Sequence, residues 1–454
     1  MNTLLFGFDK DIYEEFLSSD LNIKVNITSG MKGFFHDEGG VKHYNHVALK
    51  RADVSPVFPK NIPESLIDRA LLKNYPVILR SIMRMERSPM DASRTWADRV
   101  HEMYIMFYFY YNLIKSHNID LIIFQTMPHI KTNISLYFLA KEMGVRTIIA
   151  YQTLFPNRFF LMEDFRDLGL FRTSAKTGVK TDIRINDRPE APFYMHGIET
   201  AWDIRKRLML MQAARLVDPA IKIFTGKDKR KTRTRLIHTL RQRLQMMKVQ
   251  EKKGVDIDLS RPYVYFPLHL QPELTIDVFG DEFADQLSAV EALRRILPDN
   301  VHIYVKENPK QTLFAREDYF FKRLAAIPNT TYVNFNVDTY ALIRNSLAVA
   351  TVVGTAGWEA VQMGKPVITF GYAWYRSLPG IFEWQKGIDW QDVLSYEFDK
   401  EKLEEALKEI VGYFYEGCVS TPYENLVENF NRSKNARKVV EAIQHHIKKV
   451  QIKA

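Results

Sequence analysis

Three stretches bring small residues, donors and carboxylates close together. The first is VVGTAGWEAVQMGKPVITFG, residues 352–371. An apolar run ends in Gly354-Thr355-Ala356-Gly357 and a helical pattern begins. Such a turn leaves backbone N–H groups open at a helix N-terminus, which suits an anion. Thr355 adds a hydroxyl, and Glu359, about one turn on, can accept hydrogen bonds from ribose hydroxyls. A tight strand-to-helix turn with a surface Glu explains the same residues equally well. The second stretch is Lys306-Glu307-Asn308-Pro309 after the run HIYVKE. A lysine there can neutralise a phosphate, Asn308 can donate to it or to a base edge, and Pro309 stiffens the loop. The third is PLHLQPE, residues 267–273, which sets His269, Gln271 and Glu273 between and beside two prolines. These are acid/base and sugar-hydroxyl-binding types.

The first half of the chain offers a second group. After DLIIFQ come Thr126-Met127-Pro128-His129, and after TIIAYQ come Thr153 to Arg158, then Glu163-Asp164. His129 can serve as a base, Arg158 can hold a carboxylate bidentately, and Glu163 or Asp164 can act as base or nucleophile. Other chemistries lack their signatures. No GxGxxG follows the first strand, and GxxxxGK[ST], GxSxG and HExxH are absent. That removes the main support for dinucleotide, P-loop, hydrolase and zinc-protease readings. With one cysteine, Cys418, there is no disulfide framework or cysteine-based zinc site. No metal or cofactor is expected.

The elements that must position these residues alternate. Strand patterns at 3–8 and 22–28 flank a helical stripe on Ile12, Phe16 and Leu17. Residues 30–60 lack a period and read as loops. A helix-rich stretch from 63 to 116 precedes a strand–helix–strand unit over 120–151. A second block has strands at 263–267, 302–307, 331–335, 347–353 and 366–371, with helical patterns around 283–297, 312–325, 338–345 and 356–363. Five strands with four crossovers make a doubly wound parallel sheet. The expected fold is therefore α/β, with two Rossmann-like parallel-sheet domains facing a central cleft. The expected division is 1–200, a basic helical connector at 201–255, 256–400, and C-terminal helices at 401–454.

At 454 residues, 46% hydrophobic and 26% charged, the composition is that of a globular chain. No apolar run reaches the ~18 residues of a membrane span, and the N-terminus has no basic region of a signal peptide. A cytoplasmic location is expected. The net charge of +9 is local: residues 225–253 hold eleven Lys/Arg against two acids. Leu236, Leu240, Leu244 and Met247 form one apolar stripe on this basic helix. The pattern suits shallow binding to an anionic membrane surface, or packing of the stripe between domains. A nucleic-acid binder would spread its charge more widely.

The second block resembles the bacterial capsular-polysaccharide biosynthesis proteins, which include Kdo transferases of capsule assembly. The resemblance rests on Lys306-Glu307-Asn308-Pro309, on residues 354–359 and 364–371, on Trp374-Tyr375, and on the PLHLQPE, MPH and YQTLFPNRFF segments. Where the family's lysine loop has histidine, this chain has Asn308, which can donate a hydrogen bond but not a proton. The resemblance implies a GT-B-like, metal-independent glycosyltransferase with a nucleotide-sugar donor, CMP-linked favoured, carrying Kdo or a related acidic sugar to a glycan or glycolipid. It implies that Lys306, Asn308, Gly354, Thr355 and Gly357 hold the phosphate and Glu359 the ribose. His129, Glu163, Asp164, His269 and Glu273 are the acid/base candidates, and Arg158 and Gln271 bind substrate. A UDP-sugar transferase, a nucleotide-sugar epimerase and a non-catalytic capsule component remain the alternatives.

Overall fold

The computed structural model describes residues 1–29, 33–50, 64–85, 95–179, 185–186, 199–225 and 230–451. The chain divides into two compact units. One takes in Met1–Glu86, Asp91–Ile183 and Glu405–Ala454; the other is essentially Arg184–Glu404.

The first unit runs β1 (Asn2–Phe6), α1 (Lys10–Leu17), β2 (Asn22–Thr28), β3 (Phe35–Glu38), β4 (Val41–Asn45), α2 (His46–Lys50), α3 (Glu64–Lys73), α4 (Tyr75–Met85), α5 (Trp96–Ser116), β5 (Leu121–Phe124), α6 (Lys131–Glu142), β6 (Arg146–Gln152) and β7 (Arg158–Met162). The second holds α7 (Ala201–Thr225), α8 (Arg230–Lys253), β8 (Tyr263–Pro267), α9 (Gln286–Ile296), β9 (His302–Lys306), α10 (Asp318–Ala325), β10 (Thr330–Tyr332), α11 (Thr339–Asn345), β11 (Ala348–Thr351), α12 (Thr355–Gln362), β12 (Val367–Thr369), β13 (Ile381–Glu383) and α13 (Trp390–Leu394). Helix α14 (Lys400–Val411) crosses the division; β14 (Tyr415–Glu416), α15 (Thr421–Glu424) and α16 (Arg432–Gln451) belong to the first unit.

The second sheet has the order β10-β9-β8-β11-β12-β13, parallel throughout. Counted in chain order that is 3-2-1-4-5-6, the doubly wound dinucleotide-fold order. The first sheet reads β14-β7-β6-β5-β1-β2-β4-β3. Its parallel centre, β4-β2-β1-β5-β6, has the same 3-2-1-4-5 arrangement. Both expected Rossmann-like sheets are present. Each has a point between its first and fourth strands where the winding reverses, and ligands of such sheets bind beyond the strand ends there.

Three expectations need correction. Residues 30–60 are not all loop: β3 and β4 form an antiparallel edge hairpin. The strand β3 reads FHDE and is mostly exposed, so no apolar period marks it. The segment after YQ is not only a loop either, because β7 returns antiparallel to β6 after Asn157, whose φ is 57°. The tail is helical as expected, yet it is part of the first unit. Val439, Val440, Ile443 and Ile447 of α16 share one core with Leu5, Phe8, Ile12 and Phe16.

The basic segment forms the second arm of a helical hairpin; residues 226–229 lie outside the described residues. Ile237 and Leu240 of α8 pack with Ile204 and Leu208 of α7, and Leu236, Leu244 and Met247 line the same seam. The apolar stripe of α8 is thus used within the protein, which corrects its reading as a lipid-binding face. No described helix is long and apolar enough to cross a membrane.

The tail's role sets a test. Ile443 is fully buried, so Ile443→Ala should lower the unfolding free energy by ~2–5 kcal/mol. Urea denaturation followed by circular dichroism reads the loss, and an unchanged midpoint would contradict the packing.

Candidate functional site

In the second unit the sequence-derived candidates gather at the winding reversal, beyond β8, β9 and β11. A buried polar framework fixes them. Arg316, 1% exposed, ion-pairs with Glu307, whose side chain is 1% exposed, at 2.6 Å. The guanidinium also donates to the His269 carbonyl at 3.3 Å and to Gln271 Oε1 at 3.4 Å. Gln286 accepts from the His269 N–H and donates to Gln271 Oε1. Gln311 accepts from the Gln271 N–H and donates back to the Gln271 carbonyl. A loop this deep must satisfy its backbone internally, and these side chains do so.

The framework settles several roles. Gln271 is an internal strut, because both its backbone groups and its side-chain oxygen are engaged. His269 is buried, and burial followed by the nearby Arg316 charge lowers its pKa to about 4. Its neutral Nε2 accepts the Val353 N–H at 3.2 Å and lies 3.2 Å from Thr351 Oγ1. His269 therefore ties the β8 loop to the β11 turn, and that nitrogen is occupied as an acceptor. Glu273 accepts from the Thr275 hydroxyl at 3.0 Å. Asn308 accepts the Lys310 N–H through Oδ1 and so shapes the turn. Lys306 donates to the Val337 carbonyl at 2.6 Å and to Thr339 Oγ1 at 2.8 Å. Two of its three protons are thus used, and burial lowers its pKa to about 8.

In the turn at 354–357 the Gly357 N–H already donates to the Gly354 carbonyl at 3.0 Å, which takes that group from the expected phosphate donors. Helix α12 begins at Gly354 with no side-chain cap, so its first turn keeps the positive end of the helix dipole. Thr351 Oγ1 accepts the Gly354 N–H, and the Tyr375 hydroxyl donates to the Gly354 carbonyl. A Cβ at Gly357 would lie 2.2 Å from the Tyr375 hydroxyl, and one at Gly354 would lie 2.9 Å from Thr351 Oγ1. Glycine is required at both places by contact. Glu359, on the same helix, is 8% exposed, and burial raises its carboxyl to about 7. Its side chain makes no hydrogen bond or ion pair among the described residues. The preceding residue, Trp358, packs on Trp374 at 5.0 Å between ring centroids.

Of the first-unit candidates, His129 follows β5 and Arg158 opens β7, whereas Glu163 and Asp164 follow β7. The antiparallel course of β7 carries these two to the amino end of β6 beside Arg146, at the opposite sheet end from His129. All four are mostly committed to the fold. His129 holds the Met127 carbonyl through Nδ1, and its N–H is capped by Asn133. Glu163 accepts from Arg146 Nε at 2.7 Å and pairs with its Nη2 at 2.5 Å. Asp164 caps a short turn by accepting the Arg166 N–H. Arg158 donates to the Asn157 carbonyl. Glu163 and Asp164 thus have structural partners, which the sequence pattern did not reveal. One histidine–carboxylate group, His36, Glu38 and His43, has ligand-type atoms within 4.8 Å of one another among the described residues. The ring nitrogens of His43 are already met by Tyr13 and Asn26.

Residues 198–408 match the profile of the family described as capsule polysaccharide biosynthesis protein. This stretch belongs to the capsule polysaccharide biosynthesis family. It contains every second-unit candidate named above. A curated relative, Protein FixF of Sinorhizobium fredii (strain NBRC 101917 / NGR234), is 26% identical over 131 residues, 28% of this chain and 30% of that protein. The match therefore spans under a third of the relative's length. Among solved structures, a Thermosulfurimonas dismutans KpsC β-Kdo 2,7 transferase aligns over 100% of both chains at 10% identity and a TM-score of 0.36. A UDP-GlcNAc 2-epimerase from Methanocaldococcus jannaschii aligns over 98% of this chain and 99% of its own at 12% identity and a TM-score of 0.23. The strand orders, not these scores, define the fold.

Two tests follow from the framework. Removing Arg316 leaves Glu307 charged and buried, so Arg316→Ala should cost ~3–5 kcal/mol, read by chemical denaturation. The raised carboxyl of Glu359 binds its proton more tightly folded than unfolded. Its contribution is full below pH 4.5 and is lost as pH rises through about 7. The melting temperature of Glu359→Gln relative to wild type should therefore climb between pH 4.5 and 7. A flat difference would place the carboxyl in water.

Proposed function

We propose that this chain is a glycosyltransferase of bacterial surface-polysaccharide biosynthesis, with the nucleotide sugar held by the second unit. One observation carries the reading: Glu359, buried and without a hydrogen-bond partner among the described residues, lies on the helix whose uncapped N-terminus stands at the winding reversal. A ligand with an anionic group and a pair of hydroxyls meets both needs at once. The donor phosphate would lie against the N–H groups of 355 and 356, with the remaining Lys306 proton as a charged donor. The ribose hydroxyls would donate to Glu359 in its ionised form.

Glycosyl transfer builds positive charge at the anomeric carbon and negative charge on the leaving phosphate. Fixed dipoles at the leaving group stabilise the second of these without rearranging. The family membership of 198–408 supports a capsule role. The resemblance favours a CMP-linked acidic sugar such as Kdo as donor and a glycan or glycolipid as acceptor, with no divalent metal required.

A thermal-shift panel of CMP, UDP, GDP and CDP ligands without magnesium tests the reading. CMP at 100 times its dissociation constant should add ~2.7 kcal/mol. Glu359→Gln should weaken that binding by ~1–3 kcal/mol while the fold is kept. Nucleotide affinity should also rise from pH 6 to 8 in wild type and not in the variant. A response to UDP ligands alone would replace the CMP assignment. Donor consumed without acceptor, and returned as an isomer, would make the protein an epimerase. Absence of any nucleotide response would end the transferase reading.

A further inference from the structure

Helix α7 is apolar on two faces, and only one of them has a partner. Ile204 and Leu208, 0% and 9% exposed, enter the seam with α8. Trp202, Met209 and Leu210 are 68%, 59% and 62% exposed. Positions seven and eight apart recur on one side of a helix, so these three form a second stripe, roughly opposite the seam. Isolated exposed apolar residues need no explanation, but a stripe holding a tryptophan does. Arg205 and Lys206 lie exposed beside it. On α8, Arg235, Arg241, Lys248, Lys252 and Lys253 are exposed. Arg207 and Arg243 are spent differently, since both bind Glu199.

We propose that the outward face of α7, built on Trp202, Met209 and Leu210, docks on an anionic lipid surface, with Arg205 and Lys206 beside it meeting the headgroups. The charge argues for this occupant. Arg205 and Lys206 flank the stripe, and α8 behind them holds nine Lys/Arg against one acid, so the field around this face favours a polyanion. A tryptophan and aliphatic side chains beside Lys and Arg match a membrane interface, where the ring lies at headgroup depth. A second copy of this chain fits less well, because a two-fold contact would bring Arg205 and Lys206 of both copies together. Nucleic acid supplies phosphates but gives the aliphatic residues no cover. The proposal stands apart from the transferase reading, as it needs neither donor nor turnover.

Co-sedimentation of the full chain with vesicles is the test. Vesicles of phosphatidylcholine with 30% phosphatidylglycerol should bind it at least tenfold more tightly than phosphatidylcholine alone, and 0.5 M salt should weaken the binding. The triple variant Trp202→Ala, Met209→Gln, Leu210→Gln changes only exposed side chains and should keep the melting temperature. It should lose at least tenfold in vesicle affinity, and Arg205→Gln with Lys206→Gln should lose severalfold. Equal binding by wild type and the triple variant overturns the proposal. So does equal binding to neutral and anionic vesicles. Light scattering that reveals a dimer broken by the triple variant, without vesicle binding, assigns the face to self-association instead. Nucleotide binding should be unchanged in the triple variant, so failure here leaves the donor site untouched.

Discussion

A carboxylate and a guanidinium shut away from water set the terms for the second unit. The Glu307–Arg316 pair is almost fully buried, and such a pair is tolerated only when its remaining donors and acceptors are met. They are met by the backbone of the β8 loop, by Gln271 and by the start of the 308–310 turn. The pair therefore fixes where the β8 loop runs. That loop fixes His269, and His269 holds the Val353 N–H at the mouth of the glycine turn. The geometry that leaves α12 uncapped thus depends on a charge pair two loops away.

Much of this was legible in the sequence, for identifiable reasons. Both parallel sheets have strands that are short apolar runs, and their crossovers are amphipathic helices. The candidate stretches stood out because glycine and proline punctuate strand ends. What escaped was long-range. Nothing near Gln271 announces that Gln311, forty residues on, will satisfy its backbone, or that Arg316 will reach across to His269. Polar residues in a loop read as solvent-facing or catalytic until burial reveals them as struts. Glu163 met the same fate through Arg146 on the neighbouring strand. The basic helix posed the opposite problem: its stripe was correctly seen, but a stripe does not name its partner, and α7 lies next to it in the chain.

The second unit carries two ionisable groups pushed toward neutrality from opposite sides. Burial lowers Lys306 and raises Glu359, so near neutral pH each is close to changing its charge. Such a pair is costly to the fold and useful to a ligand, since an anion restores one charge and hydroxyl donors restore the other. Thr339 lies near both: it accepts from Lys306 and bonds Tyr265, whose hydroxyl burial, with a smaller push from Glu359, holds further from ionisation. Stability and binding should therefore respond in opposite senses to the same substitution.

The chain leaves the first unit near residue 184 and returns only near 405. During synthesis, β1 and α1 emerge early, but the helix that covers them, α16, is made more than 400 residues later. The inserted unit has all its own strands available before then. Because domains fold as units while the ribosome works, the unit that begins second is complete first. The N-terminal sheet must wait with Phe8, Ile12 and Phe16 uncovered. For that interval the nascent chain is a finished Rossmann-like body tethered to an open apolar surface, a natural client for a holding chaperone.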